Sequence, residues 1–284
     1  MDQPDHESKL DLLRSRKSPY GKICALTSYD APTARILDAA GIDIQFVGDS
    51  VGTNVLGYRN EREVTLDDIA HHVGAVRRGA PGAVVLADLP YRTYETPAAT
   101  VASATALVAA GASLVKVEGA DQAVNIQALV GAGITVCAHL GFTPQTLSVD
   151  GARARVQARS VDDAMALIDA AGALERAGAS FLVLELVPSP VSQIVTQRLG
   201  IPTIGIGAGP HCDGQVLIVY DILGLSGLHL RLAREYAKGQ QFISDAVSRY
   251  REDVSAEKFP SAENSFSMDS DEEAALLAAI ASRS

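Results

Sequence analysis

The sequence predicts an α/β chain folded as a single-domain (β/α)8 barrel, a TIM barrel. Three observations predict it. Short apolar runs suited to buried strands alternate along the chain with stretches of helical character. Four of those runs end in an acid: residues 44–49 in Asp49, 83–88 in Asp88, 113–118 in Glu118 and 180–185 in Glu185. Each is followed by turn or loop residues, which gathers carboxylates at one end of a parallel sheet, the end where such a barrel carries its chemistry. The 284 residues, 47% of them hydrophobic, supply a core large enough for one such domain.

The elements follow in order. Residues 1–20 read as a loose tail with a short helix. Residues 23–28 form the first strand, 31–40 a helix and 44–49 the second strand. A long loop rich in Gly, Asn and charge fills 50–64. Thr65-Leu-Asp-Asp68 resembles a capping box with Asp in place of Glu, and it opens a helix to Arg78 that Gly79 and Pro81 end. Strand three spans 83–88, a helix 97–110, strand four 113–118, a helix 121–130 and strand five 134–139. The loop 141–160 carries Arg153, Arg155 and Arg159. An Ala-rich helix at 161–177, strand six at 180–185, a helix at 191–199 and strand seven at 203–206 come next.

Strand eight is placed at 216–220. The stretch 207–215 is too short for a full helix, so either that helix is missing or the eighth strand lies elsewhere. The barrel is expected over 21–260. The acidic tail 261–284 is expected to be weakly ordered, with a short helix at 272–281.

Strand four is the informative one. In Ser113-Leu-Val-Lys-Val-Glu-Gly119, Lys116 and Glu118 are two apart and share one face, while Val115 and Val117 turn to the other. Two charges on an apolar strand are costly to bury unless paired or bound to something. A plain buried Lys–Glu pair satisfies that requirement. Recurrence of strand-end acids favours a shared acidic site instead.

Charge and composition exclude several classes. A net charge of −10 argues against a nucleic-acid surface. The three cysteines, Cys24, Cys137 and Cys212, form no CxxC or metal-finger spacing. Cys24 and Cys137 lie inside apolar strands and read as buried thiols in a reducing compartment. The N-terminal Met-Asp-Gln-Pro-Asp-His-Glu is polar and acidic, unlike a signal peptide. Residues 96–115 carry no charge, but their Thr, Ser and Ala content reads as a helix followed by a strand rather than a membrane span. The expected location is the cytoplasm.

Asp49, Asp88 and Glu118 are the metal candidates. At a separation of about 5 Å, each carboxylate pair repels by roughly 3 kcal/mol at an effective dielectric near 20, which favours a cation among them. All-oxygen ligands favour a hard ion, Mg²⁺ first. Lys116 has two readings, a cation for a substrate carboxylate or a Schiff-base amine, and the neighbouring acids favour the charged form. Glu185 acts as a base next to a carbonyl if a metal polarises the carbonyl oxygen. His139 reads equally as a substrate contact or a hydrogen-bonded structural residue. His71 and His72, adjacent on a helix, point apart and read as structural. Gly205-Ile-Gly-Ala-Gly209 is followed by Pro210 and opens no long helix, so it reads as a close-approach loop rather than a dinucleotide fingerprint.

These residues closely resemble the ketopantoate hydroxymethyltransferase family. The matching stretches are Val47-Gly-Asp-Ser-Val-Gly52, Val64-Thr-Leu-Asp-Asp68, Leu86-Ala-Asp-Leu-Pro90, Val115-Lys-Val-Glu-Gly119, His139-Leu-Gly-Phe-Thr-Pro-Gln145, Leu184-Glu185 with Val187-Pro188, and Ile204-Gly-Ile-Gly-Ala-Gly209 with Asp213-Gly-Gln215. They run in the family's order from about residue 20 to 260. The resemblance implies a metal-dependent barrel that moves a hydroxymethyl group from 5,10-methylenetetrahydrofolate to 3-methyl-2-oxobutanoate in pantothenate synthesis. It places one Mg²⁺ at Asp49, Asp88 and Glu118, substrate contacts at Asp49, Ser50, Asp88 and Lys116, and the proton acceptor at Glu185. It also implies a homo-oligomer, a decamer in the family. The chain departs from the family's pattern at Tyr91-Arg92, at the basic segment 148–159 and at Asn264. A related metal-dependent carbon–carbon lyase of a 2-oxo acid would use the same acids without folate, and a non-catalytic ligand-binding barrel is the alternative of a different class.

Overall fold

In the computed structural model of the chain, residues 6–17, 21–147 and 154–283 are described. Eight parallel strands close in sequence order: β1 (Ile23–Thr27), β2 (Ile44–Val47), β3 (Val84–Asp88), β4 (Leu114–Glu118), β5 (Val136–Gly141), β6 (Phe181–Glu185), β7 (Thr203–Ile206) and β8 (Gly214–Leu217), with β8 pairing back to β1. This is the (β/α)8 barrel expected from sequence. The helices α2 (Ala31–Ala39), α3 (Leu66–Gly79), α4 (Pro97–Ala110), α5 (Ala123–Gly131), α7 (Val161–Arg176) and α8 (Ser189–Arg198) lie between strands. A short α6 (Pro144–Leu147) follows β5, and α9 (Val219–Ile222) follows β8.

The period of two sorts the side chains into two cores. Outward residues such as Val85, Val115, Val117, Val136 and Leu182 pack against Val73, Leu107, Ile126 and Leu174 of the helices. Inward residues such as Ile44, Val84, Leu114, Cys137, Phe181 and Ile204 fill the lumen. Leu10 and Leu13 of the N-terminal helix α1 (His6–Arg14) join that inner cluster. Toward the carboxyl ends of the strands the lumen turns polar, with Asp88, Lys116, Glu118 and His139 buried there.

Local chemistry sets most boundaries. Thr65 Oγ1 accepts from the Asp68 N–H and Asp68 Oδ2 from the Thr65 N–H, so the expected capping box opens α3. β2 stops at Val47, two residues before the expected Asp49, because the Gly48 and Asp49 carbonyls accept turn bonds from Val51 and Gly52. β5 runs two residues later than expected, with Gly141 in register with Glu185. No helix joins β7 to β8. β8 begins at Gly214, and residues expected in its second half form α9. Asp213 fixes that start: its carboxylate accepts from the Thr203 N–H, the Thr203 hydroxyl and Lys17 Nζ.

Other expectations change with the packing. Cys24 is exposed, whereas Cys137 and Cys212 are buried. Its neighbours Ile23 and Ala25 face the lumen, so the thiol faces outward, and its N–H donates to Asp43 Oδ2. The His71 and His72 rings do not diverge but meet edge-to-face at 5.4 Å, and His72 Nδ1 lies 2.6 Å from the Tyr29 carbonyl oxygen. The loop expected over 50–64 contains a π-helical turn (Gly52–Leu56) and a 3-10 turn (Glu61–Glu63). Residues 1–5, and residues 148–153 with Arg153, lie outside the described residues.

The chain divides into two units, Met1–Tyr236, which holds the barrel, and Ala237–Ser284. The division falls earlier than the boundary at 260 drawn from sequence. The second unit contains α10 (Gly239–Ser255), a 3-10 turn (Ala262–Asn264) and α11 (Ser270–Ala281), so the acidic tail carries helical structure. Among the described residues no helix is long and apolar enough to cross a membrane.

The Lys17–Asp213 pair yields a stability prediction. Lys17 Nζ donates to the Thr196 and Ile201 carbonyls and lies 2.8 Å from Asp213 Oδ2, whose side chain is 1% exposed. Removing one partner of a buried pair typically costs about 3–5 kcal/mol. Lys17→Met is therefore expected to lower the urea midpoint by the equivalent of about 3 kcal/mol, the low end because Lys17 is partly exposed. A change below about 1 kcal/mol would show that the pair does not anchor the barrel floor.

Candidate active site

Lys116 stands at the centre of the polar end. Its Nζ lies 2.6 Å from Asp88 Oδ1 and donates to Glu118 Oε1 at 3.1 Å. The Phe46 ring is beneath it, 5.6 Å from Nζ. The strand spacing puts Lys116 and Glu118 on one face, and the β3–β4 register sets Asp88 opposite Lys116. Burial pushes the Lys116 pKa down, but Asp88, Glu118 and Asp49 outweigh it and hold the amine well above its usual range. The surrounding acids favour the ammonium over the neutral amine that a Schiff base needs.

The carboxyl groups respond differently to their surroundings. Burial raises Glu118, but Lys116 and His139 more than compensate and hold it down to about 2. Burial raises Asp88, with Lys116 opposing. Burial, then Asp88 and Glu118, push Asp49 well up. Burial, then the Glu118 charge, push Glu185 up to about 8. His139 is driven down by burial and by Lys116, with Glu118 and Asp88 opposing. Its Nδ1 lies 3.2 Å from Glu118 Oε1 and 3.3 Å from Lys116 Nζ, and its Nε2 lies 3.5 Å from Glu185 Oε2.

Two close approaches shape the rim. Gly48 lets Asp49 lie beside Asp88: a Cβ there would sit 3.3 Å from Asp88 Oδ2, and the Asp49 N–H donates to that oxygen. Gly141, at φ +99, lets β5 meet β6, since a Cβ would fall 2.1 Å from the Glu185 carbonyl oxygen. Leu186, next to Glu185, holds a left-handed φ of 48, which costs about 1–3 kcal/mol for a bulky residue. Hydrogen bonds from Leu186 N to the Ile206 carbonyl and from Gln157 N to the Leu186 carbonyl secure it.

All six residues singled out from sequence, Asp49, Ser50, Asp88, Lys116, Glu118 and Glu185, line one cavity of about 270 Å³, as does His139. The Ser50 hydroxyl lies 2.8 Å from the Tyr29 hydroxyl. Among the described residues no three His, Cys, Asp or Glu side chains stand in metal-holding geometry. The chemistry of the donor set fits a hard cation: buried carboxylate oxygens, with burial and then Asp88 and Glu118 raising Asp49, and Lys116 as the counter-ion of Asp88 and Glu118. Sequence reasoning assigned no role to Gln145 or Tyr94, which stand behind the carboxylates. Gln145 Nε2 donates to Asp49 Oδ2 at 2.9 Å, a contact of a neutral amide that no charge pattern reveals.

The chain is similar to known proteins over most of its length. A family model described as ketopantoate hydroxymethyltransferase matches residues 8–262. A 3-methyl-2-oxobutanoate hydroxymethyltransferase from Shewanella piezotolerans is 44% identical over 90% of this chain and 97% of its own length. One from Roseiflexus sp. is 48% identical over 87% and 90%. Among solved structures, a phosphonopyruvate hydrolase complex with oxalate and Mg²⁺ shares the fold at TM-score 0.62 and 13% identity, covering 90% of this chain and 93% of that one. A 2,3-dimethylmalate lyase does so at TM-score 0.59 and 17% identity, covering 98% and 100%. These two likenesses concern the fold alone. By the family match and the close relatives, the chain belongs to the ketopantoate hydroxymethyltransferase family and is a transferase.

Proposed function

We propose that this enzyme transfers a hydroxymethyl group from 5,10-methylenetetrahydrofolate to 3-methyl-2-oxobutanoate, giving ketopantoate for pantothenate synthesis, by enolisation assisted by Mg²⁺. The relatives' names support the acceptor and the reaction. The observation that carries the mechanism is Glu185: a carboxyl held near pKa 8 on the wall of a small cavity that also contains a buried ammonium.

The cavity, at about 270 Å³, suits a small acid rather than a drug-sized ligand, whose sites typically span about 300–1,000 Å³. The Lys116 ammonium draws in the substrate carboxylate, and the Ser50 hydroxyl donates to it. Asp49 and Asp88 border the same end of the cavity. Glu185 takes the proton from C3. Its raised pKa makes it a stronger base than an ordinary carboxylate while leaving a working fraction ionised near neutrality. Asp49, Asp88 and Glu118 would hold Mg²⁺, which when bound supplies a Lewis acid for the keto oxygen. The C3 carbanion equivalent attacks the folate-borne methylene carbon as that carbon's bond to one of its two folate nitrogens breaks, and the proton taken from C3 ends on that nitrogen. Water then displaces the second folate nitrogen, its hydroxyl going to the carbon and its proton to the nitrogen, so the product carries the hydroxymethyl group and tetrahydrofolate leaves. The enzyme works in the cytoplasm as a homo-oligomer, which light scattering on the purified protein tests.

Turnover with and without methylenetetrahydrofolate tests the reaction: product is expected only with the folate, and folate-independent cleavage of a 2-oxo acid would replace this reading with a lyase. Chelation is expected to abolish activity and Mg²⁺ to restore it. Borohydride added with the ketoacid is expected to leave no adduct on Lys116, and full activity after exhaustive chelation or a trapped adduct would reverse the assignment.

Glu185→Gln separates binding from proton transfer. Deuterium uptake at C3 of 3-methyl-2-oxobutanoate in D₂O reports enolisation without folate. The variant is expected to exchange about 10²–10⁴-fold more slowly than the parent while still binding the ketoacid. Asp88→Asn is expected instead to weaken metal and ketoacid binding together. Parental exchange by Glu185→Gln, with transfer lost, would move Glu185 to the folate step.

The same carboxyl has a stability signature in the metal-free protein. Its folded pKa, about 8, exceeds the ordinary 4.5, so the folded state holds the proton more tightly. Its contribution to stability is fully present below about pH 4.5 and is lost as pH rises through about 8. Glu185→Gln lacks this loss, so its urea midpoint is expected to gain on the parent's between pH 5 and pH 9. A difference that stays constant across that range rules out the raised carboxyl.

A further inference from the structure

Gln145 lies in α6 and is fully buried. Its side-chain nitrogen uses both hydrogens, donating to Asp49 Oδ2 at 2.9 Å and to the Leu89 carbonyl at 3.0 Å. Its side-chain oxygen accepts a short hydrogen bond from the Tyr94 hydroxyl. Its backbone N–H donates to Glu118 Oε2 at 3.3 Å. One residue therefore connects the carboxylate that follows β2 to the one that ends β4. Lys116 grips Asp88 and Glu118, whereas the side-chain donor to Asp49 is Gln145.

The amide has one workable orientation. Reversed, its oxygen would face the Asp49 carboxylate and the Leu89 carbonyl, an acceptor against acceptors. The Tyr94 hydroxyl fixes the other end. Tyr94 is itself buried, and its carbonyl accepts from Asn125 Nδ2 at 2.8 Å. Asn125 Nδ2 also donates to Gln122 Oε1 at 2.7 Å. The strut thus runs from α5 through Tyr94 and Gln145 to two acids of the cavity. Neither Gln145 nor Tyr94 lines this cavity, although Tyr94 borders a larger one that shares Glu118 with it; the direct contacts of Gln145 with the acids are to Asp49 and Glu118.

We propose that Gln145, oriented by Tyr94, is a positioning residue that sets the spacing of the Asp49 and Glu118 carboxylates around a divalent cation and the 2-oxo acid. This rests on the reading of the cavity as a Mg²⁺-assisted enolisation site. Groups that orient metal-binding side chains typically contribute 10–100-fold to metal affinity or activity.

The test uses the full-length enzyme, its Tyr94→Phe and Gln145→Met variants and the double variant. Mg²⁺ affinity is measured by titration calorimetry, and C3 deuterium exchange gives KM and kcat for the ketoacid. Thermal midpoints are recorded alongside. Gln145→Met is expected to weaken Mg²⁺ binding and raise the ketoacid KM by about 10–100-fold. Tyr94→Phe, which removes only the hydroxyl, is expected to show a smaller loss in the same direction. The double variant is expected to match Gln145→Met within about twofold, because contacting residues that act as one unit do not add. If Gln145→Met does not fold, Tyr94→Phe carries the measurement. Lowered thermal midpoints with parental Mg²⁺ affinity and exchange would assign the strut a structural role alone and overturn the proposal, as would additive losses in the double variant. A parent that neither binds Mg²⁺ nor exchanges deuterium would instead overturn the reading of the cavity, and this inference with it.

Discussion

The Lys116 ammonium sits among converging carboxyl groups, and the polar end of the barrel depends on it. Placed 2.6 Å from Asp88 and 3.1 Å from Glu118, it offsets the burial of two acids at once. One positive charge does not balance the whole cluster, so the acids separate in character. Glu118, with Lys116 and His139 at the same oxygen, stays ionised to about pH 2. Glu185, beside His139, is driven by burial and by Glu118 to about 8. A strongly ionised acid and a basic carboxyl thus occupy one small cavity, the separation of roles that acid–base chemistry at neutral pH requires.

The barrel tolerates this cluster because polarity is confined to one end of its lumen. The lower lumen is filled by apolar side chains from the strands and by Leu10 and Leu13 of α1. Above them, the same period of two that buries Leu114 brings Lys116 and Glu118 onto the inner face. Close chain contacts complete the rim. Gly141 admits the Glu185 carbonyl, and the left-handed Leu186 turns the chain sharply after Glu185. The strain at Leu186 is held by bonds to β7 and to the segment after β5, so both help position the Glu185 carboxyl.

Much of this was legible in the sequence for physical reasons. Parallel strands buried on both faces read as unbroken apolar runs, so all eight were found near their places, and an acid ending such a run stands out. The capping box opening α3 was legible because Thr65 and Asp68 serve each other locally. What escaped depends on tertiary contact. The start of β8 is set by Lys17 and Thr203 reaching Asp213 across the barrel floor, which no local pattern shows. The exposure of Cys24 follows from which face of a short strand meets the lumen. α10 was not anticipated. Gln145 carried no signal beyond its place in a recognised stretch, since a neutral amide becomes informative only when its partners are known.

The division of labour between Lys116 and Gln145 follows from what each can do to a carboxylate. An ammonium fixes a carboxylate and neutralises it. An amide fixes it and leaves its charge in place. Asp88 and Glu118 receive the first treatment, and Asp49, held by Gln145 and pushed well up by burial and its acidic neighbours, receives the second. Asp49 is thus held in position by a neutral group rather than by a counter-ion in direct hydrogen-bond contact. A second lysine at position 145 would add a buried positive charge where Gln145 supplies none, and would offer no acceptor to the Tyr94 hydroxyl. A hydrocarbon there would leave Asp49, the Leu89 carbonyl and the Tyr94 hydroxyl without their bonds. A neutral, two-sided hydrogen-bonding group is therefore the residue type that satisfies Asp49, the Leu89 carbonyl and the Tyr94 hydroxyl at once.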